Sequence, residues 1–251
     1  MKILLTNDDG IQGAGLWSLA NALKNHGGVD VMIVAPLKQQ SGMAHALSVL
    51  REIEYKRFDN PDFEAWTFDG TPTDCVKIYL EGMSNKKFDA VISGINDGAN
   101  LATDVLYSGT VGAALEGFLH AIPSLAISLD VHSEISFDTA ANVTVDYLKK
   151  ILSVYSEPFL HNINFPKKFR TGKAEFMSAR LGRRDYINAF VSRTDDEGRA
   201  FFRIGGTIND VDAGEGTDIH AVNLGYVSVT PLHFDTVDYD SLVELRHIFR
   251  G

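Results

Sequence analysis

The chain holds 251 residues with 33 acidic against 23 basic side chains, a formal charge of −10 and a hydrophobic fraction of 45%. That is enough apolar sequence for a sizeable core, and the acidic balance argues against a surface that tracks nucleic acid or anionic membrane, since such surfaces are basic. No stretch approaches the roughly 20 apolar residues of a membrane-spanning helix, no signal-peptide pattern opens the chain, and a single cysteine, Cys75, excludes an intrachain disulfide and a Cys-based zinc cluster.

A cytoplasmic protein is expected. If its ligand carries phosphate, something local must reverse the field. Cys75, among Val76, Ile78 and Tyr79, reads as a small buried hydrophobe.

The first strand is KILLTN, followed by the helix GLWSLANALKNHG, whose Leu16, Leu19, Ala20 and Leu23 share one face and which Gly27 and Gly28 stop. DVMIVAP is the next strand. A polar loop then runs from Leu37 to about His45, before two further strands, SVLREIEYKRF and FEAWTFDG. TPTDCVKIYL opens a helix capped by Thr71, with Pro72 at its first position and Asp74 three residues after the cap. FDAVISGIN is a strand, GTVGAALEGFLHA a helix with Val111, Leu115, Phe118 and Leu119 on one face, and SLAISLD another strand.

Apolar strands that do not alternate are buried on both faces, which indicates a parallel sheet between two helical layers. The fold class is therefore α/β, a Rossmann-like three-layer α/β/α core over residues 1–166. After NINFP the pattern changes to alternating strands with turn residues, KAEFMSAR, YINAFVSRTDDEGRAFFRI and HAVNLGYVSVTPL, which fit antiparallel hairpins. SLVELRHIFR is a terminal helix with Leu242, Leu245 and Phe249 on one stripe. The whole reads as a single domain, 1–251, in which 167–251 supplies hairpins, a return strand and an oligomerisation helix.

In an open parallel sheet, ligands bind beyond the carboxyl ends of the strands, where strand order reverses. KILLTN delivers Asp8 and Asp9, DVMIVAP delivers Lys38, Gln39, Gln40, Ser41 and Gly42, and FDAVISGI delivers Asn96, Asp97, Gly98 and Asn100. Two carboxylates about 4 Å apart repel by roughly 4 kcal/mol at an effective dielectric near 20, and a divalent cation turns that cost into attraction. Oxygen donors without clustered His or Cys favour Mg²⁺ or Mn²⁺ over Zn²⁺. Taken singly, NDDG, Ser41 and Asn96 are equally ordinary turn or capping residues; three oxygen-rich strand ends together are the stronger signal.

Ser108, Gly109 and Thr110 precede a helix, so their N–H groups and hydroxyls can cradle an anion or serve as a plain cap. His45 can contact phosphate or shuttle a proton, or be a half-exposed loop residue. The remaining histidines show no ligand spacing.

LLTNDDGIQGAGL, APLKQQSGMAHALS, DGTPTDCV, SGINDGANLATDVLYSGTVGAALEG, NINFP and TDIHAVNLGYVSVTPL resemble, in order, the segments of the survival protein SurE family of metal-dependent nucleotidases. Only residues 167 to 216 lack a specific match. The resemblance implies one divalent cation per subunit, Mg²⁺ or Mn²⁺, held by Asp8, Asp9, Ser41 and Asn96, with Asp8 and Asp9 also catalytic. It implies that Ser108, Gly109 and Thr110, with Asn7, Gly42, His45, Gly94, Asn96 and Asn100, frame the phosphate.

It also implies hydrolysis of nucleoside 5′- and 3′-monophosphates, sometimes with short polyphosphate, by a homodimer or homotetramer with C-terminal exchange; the acidic charge separately leads us to expect no binding to nucleic-acid polymer or membrane. The family more often has Gly-His-Ser where this chain has Ala44, His45 and Ala46, which bears on substrate preference.

Phosphate monoesters need rate enhancements approaching about 10²¹. Positioning, and a cation that screens phosphoryl oxygens and acidifies a water, are the available means, with Asp8 or Asp9 orienting that water or acting as base. A haloacid dehalogenase-like aspartyl mechanism fits poorly, because FDGT has Thr67 and NDDG has Asn7 where its aspartate should stand. The alternative of another class is a non-catalytic nucleotide-sensing or partner-binding module, against which a retained acidic pair facing an anion argues.

Overall fold

The computed structural model describes residues 1–249. Along the core run β1 (Lys2–Thr6), α1 (Ala14–Asn25), β2 (Asp30–Pro36), β3 (Tyr55–Phe58), β4 (Glu64–Phe68), α2 (Pro72–Ile78), β5 (Ala90–Asp97) and α3 (Gly109–Leu119). Then follow β6 (Ser124–Leu129), α4 (Phe137–Leu152), β7 (Leu160–Phe165), β8 (Phe176–Ser178), β9 (Arg183–Ile187) and β10 (Phe190–Thr194). The chain closes with β11 (Ala200–Ile204), β12 (Thr207–Asp212), α5 (Asp218–Asn223), β13 (Val227–Leu232) and α6 (Tyr239–Phe249).

Nine strands form the main sheet in the order β3-β4-β2-β1-β5-β6-β7-β13-β8. The six from β4 to β7 are parallel; β3 and β13 join antiparallel at either side. Side chains alternate across the strands, so consecutive residues enter opposite cores. Ile3 and Leu5 pack with Leu16, Leu19 and Leu23 of α1 and Val145 and Leu148 of α4. Leu4 packs the other way, with Val34, Phe68 and the Cys75 and Val76 of α2, while Val111 and Ala114 of α3 cover Ala126 and Leu160. This is a mostly parallel sheet with helices on both faces, a three-layer α/β fold.

Several elements differ from the sequence reading. The helix α4 lies where no element was expected, between SLAISLD and NINFP; Val143, Thr144 and Val145 are β-branched and weaken its local helix signal. Packing of Ala140, Ala141, Val145 and Leu148 on the sheet, with Ser136 accepting from the Thr139 N–H, supplies what propensity lacks. The strand expected from Ser48 begins only at Tyr55. His220–Asn223 belong to α5 rather than to a strand, because Thr217 caps a short helix there.

The expected hairpins form as an antiparallel excursion, β9 with β12 and β10 with β11, but β8 instead pairs parallel to β13 in the main sheet. The terminal helix is present to Phe249; Arg250 lies outside the described residues. The capping box at Thr71 and Asp74 forms with both its bonds. Among the described residues no helix is long and apolar enough to cross a membrane.

Candidate active site

From β1 the chain crosses by α1 to β2 on one side, while β5 occupies the other, so the carboxyl ends of β1 and β5 flank a crevice where strand order reverses. Asp8 and Asp9 leave β1 there, Asn96 and Asp97 end β5, and the N-terminus of α3 faces the same place.

Asp8 is 4% exposed. Its Oδ1 accepts the Thr110 hydroxyl proton at 2.5 Å, and its carbonyl accepts from the Gln40 N–H at 2.7 Å. Burial pushes the Asp8 carboxyl up to about 6; the Thr110 bond opposes this and the neighbouring Asp9 charge adds to it. Gly109 passes so close that a Cβ there would stand 3.0 Å from the Asp8 Cβ, so a larger residue would press on the Asp8 side chain.

Asp9, half-buried, accepts from the Gln39 side chain at 3.3 Å and from the Asp97 N–H at 3.2 Å, so it ties the loops after β1, β2 and β5 together. Burial raises its pKa, opposed by the Asp97 N–H, with the Asp97 charge raising it again. Neither carboxyl has a basic side chain paired with it among the described residues.

Asn96 donates its Nδ2 to the Gly98 carbonyl at 2.7 Å, which assigns the amide orientation and frees Oδ1 as a donor atom for a cation. Asn7 is fully buried; Nδ2 reaches the Gly10 carbonyl at 3.0 Å, and Oδ1 has no hydrogen-bond partner among the described residues. Ser41 and Gly42 are exposed and follow the Gln40 anchor directly.

The α3 residues divide their work. Ser108 caps the helix, its Oγ accepting from the Val111 N–H at 3.1 Å, whereas the Thr110 hydroxyl is spent on Asp8. Gly94 lies inside β5 at φ +138°, where a Cβ would stand 2.4 Å from the Ile127 carbonyl, so the position admits only glycine. Asn100 gives Nδ2 to Ser128 at 2.8 Å, and its main chain is held by Asn162 and Asn164 of β7. His45 turns along α3 to Glu116, Nε2 to Oε2 2.7 Å.

Glu116, Asn162 and Asn164 carry no role in the sequence reading. The signals were an acidic residue amid the apolar stretch of α3, and the alternation of NIN, which puts both amides on one face of β7. Glu81, Glu116 and His120 also bring ligand atoms within 4.8 Å of one another. Lys77 Nζ already stands between the two carboxylates, at 2.7 Å and 3.1 Å, so that group is a balanced ion-pair network.

Geometry of this kind has relatives. The family model described as Survival protein SurE matches residues 3–188. A protein named 5′-nucleotidase SurE from Heliobacterium modesticaldum is 41% identical, spanning 100% of this chain and 93% of the relative. One of the same name from Laribacter hongkongensis is 42% identical over 98% of each chain. The crystal structure of the SurE protein from Aquifex aeolicus superposes with a TM-score of 0.81 at 39% identity, covering 99% of both chains. Sequence and architecture thus agree along nearly the full length, and the chain belongs to the survival protein SurE family.

Proposed function

We propose that this chain hydrolyses nucleoside 5′- and 3′-monophosphates to nucleoside and phosphate, using one Mg²⁺ or Mn²⁺ per subunit. The observation that carries the reading is a pair of adjacent aspartates at the sheet's switch point, Asp8 buried and Asp9 half-buried, with no basic partner among the described residues. The relatives' name, 5′-nucleotidase SurE, supports the nucleotidase part of this reading.

A hard dication fits these residues: the donors are carboxylate, amide and hydroxyl oxygens, from Asp8, Asp9, Asn96 and Ser41. When bound, such an ion supplies positive charge for the phosphoryl oxygens and acidifies a water. Asp8, bonded to Thr110 and packed against Gly109, would hold the ion as the more rigid of the two carboxylates. Asp9, the more exposed of the two, is better placed to orient the attacking water and take its proton. The Ser108 hydroxyl keeps its own proton for a phosphoryl oxygen, and the Gly109 N–H and the positive end of α3 add to the cradle.

The core to residue 166 carries this chemistry and residues 167–249 the assembly into a dimer or tetramer. Support for assembly is the apolar surface on the excursion, where Phe190, Phe202 and Ile204 are 66%, 76% and 80% exposed.

Phosphate release from AMP with Mn²⁺, and its loss in EDTA, tests the reading. Asp9→Asn abolishes metal-dependent turnover while the fold persists; full activity in that variant removes Asp9 from the site.

A further inference from the structure

Glu116 is a carboxylate 2% exposed on a helix whose neighbouring positions are small or apolar. Its two oxygens are shared between different parts of the chain: Oε1 takes Lys77 of α2 at 3.1 Å, and Oε2 takes His45 of the loop after β2 at 2.7 Å. Burial pushes the carboxyl up, but the bonds from His45 and then Lys77 outweigh it and leave it below its ordinary value.

The loop it reaches has no regular structure from Leu37 to Glu54. One end is anchored where Gln40 meets Asp8; the other where the Thr71 hydroxyl meets the Ala46 carbonyl at 2.7 Å and the Ser48 N–H meets Asp74 at 3.0 Å. Between these anchors the chain rests on α3. The Ala44 N–H donates to the Tyr107 carbonyl, and Gly112 admits the Ala44 carbonyl to 2.2 Å from where a Cβ would be. Ala44 itself is held at φ +51°, a conformation that an alanine keeps only under restraint.

We propose that Glu116 is a positioning residue: through His45 it latches the loop onto α3 and so sets where Ser41 and Gly42, which follow the Gln40–Asp8 anchor, stand. The inference rests on the metal-dependent hydrolase reading given above. Because the bonded pair spans 71 residues of sequence, the latch forms only once α3 is docked.

The test uses full-length His45→Ala, Glu116→Ala, Glu116→Gln and the double variant His45→Ala/Glu116→Ala. Hydrogen exchange is read at the bonded amides of Gln40, Ala44 and Ser48 without metal, alongside Mn²⁺ titration by calorimetry. Each Ala variant loses about tenfold in protection at Ala44 and about tenfold in Mn²⁺ affinity, the size expected for losing a residue that orients ligands. The double variant loses no more than either single one, and Glu116→Gln, which keeps shape and an acceptor, recovers part of the loss.

Unchanged protection and Mn²⁺ affinity in His45→Ala, a surface substitution that leaves the core intact, overturn the latch, as do losses in the double variant that multiply. Wild-type protein that binds Mn²⁺ but releases no phosphate from AMP overturns the hydrolase reading instead, because the exchange measurement needs neither metal nor substrate.

Discussion

Replacing Thr110 with Val removes one hydroxyl and keeps the shape of the side chain. In the folded protein that hydroxyl donates to Asp8 Oδ1 at 2.5 Å, in a place where both residues are buried. A hydrogen bond to a charged group contributes about 1.5–3 kcal/mol. At about 1.4 kcal/mol per tenfold, losing it lowers the affinity for Mn²⁺ by about tenfold to a hundredfold, in line with the usual cost of removing a group that orients a ligand.

The assay is Mn²⁺ titration by calorimetry near neutral pH, where Asp8 is largely ionised in the wild type, supported by the Mn²⁺ dependence of phosphate release at saturating AMP. Thr110→Ser, which keeps the hydroxyl, stays within a few-fold of wild type. Equal Mn²⁺ affinity in wild type, Val and Ser variants, each shown to be folded, would refute the assignment of Thr110 as the group that holds Asp8 in place.

Burial pushes the His161 imidazole down to about 4, against an ordinary 6.5, so folding disfavours its protonation. Stability is therefore full above pH 6.5 and falls by about 3 kcal/mol as pH drops to 4, and urea titrations across that range show a flatter profile for His161→Gln. Gly94→Ala forces a Cβ to 2.4 Å from the Ile127 carbonyl at a positive φ, and costs upwards of about 3 kcal/mol in urea unfolding. Phe202→Ser, on the exposed β10–β11 ribbon, shifts light-scattering mass toward monomer without altering the circular dichroism of the core.

The parallel strands were legible because their apolar residues run without alternation, which only a sheet covered on both faces tolerates. Helix α4 was not, since Val143, Thr144 and Val145 carry a local preference that tertiary packing overrides. Oxygen-rich strand ends could likewise be read off one after another, but which group engages which could not. Thr110 reaches Asp8 across 102 residues and His45 reaches Glu116 across 71, and neither pairing leaves a mark in local spacing. The same limit applies to NINFP, whose two asparagines make sense only once Asn100 is seen against them.

The groups around Asp8 are drawn from the neighbourhoods of residues 8, 40, 97 and 110 and meet only when the sheet has closed. An unfolded chain offers the ion two adjacent acids and little else, so binding is linked to folding. On the metal reading proposed above, manganese at a hundred times its dissociation constant would add about 2.7 kcal/mol to the native state, and chelation would withdraw it. Thermal melting followed against free manganese concentration would serve as a substrate-free gauge of how complete the site is in any variant.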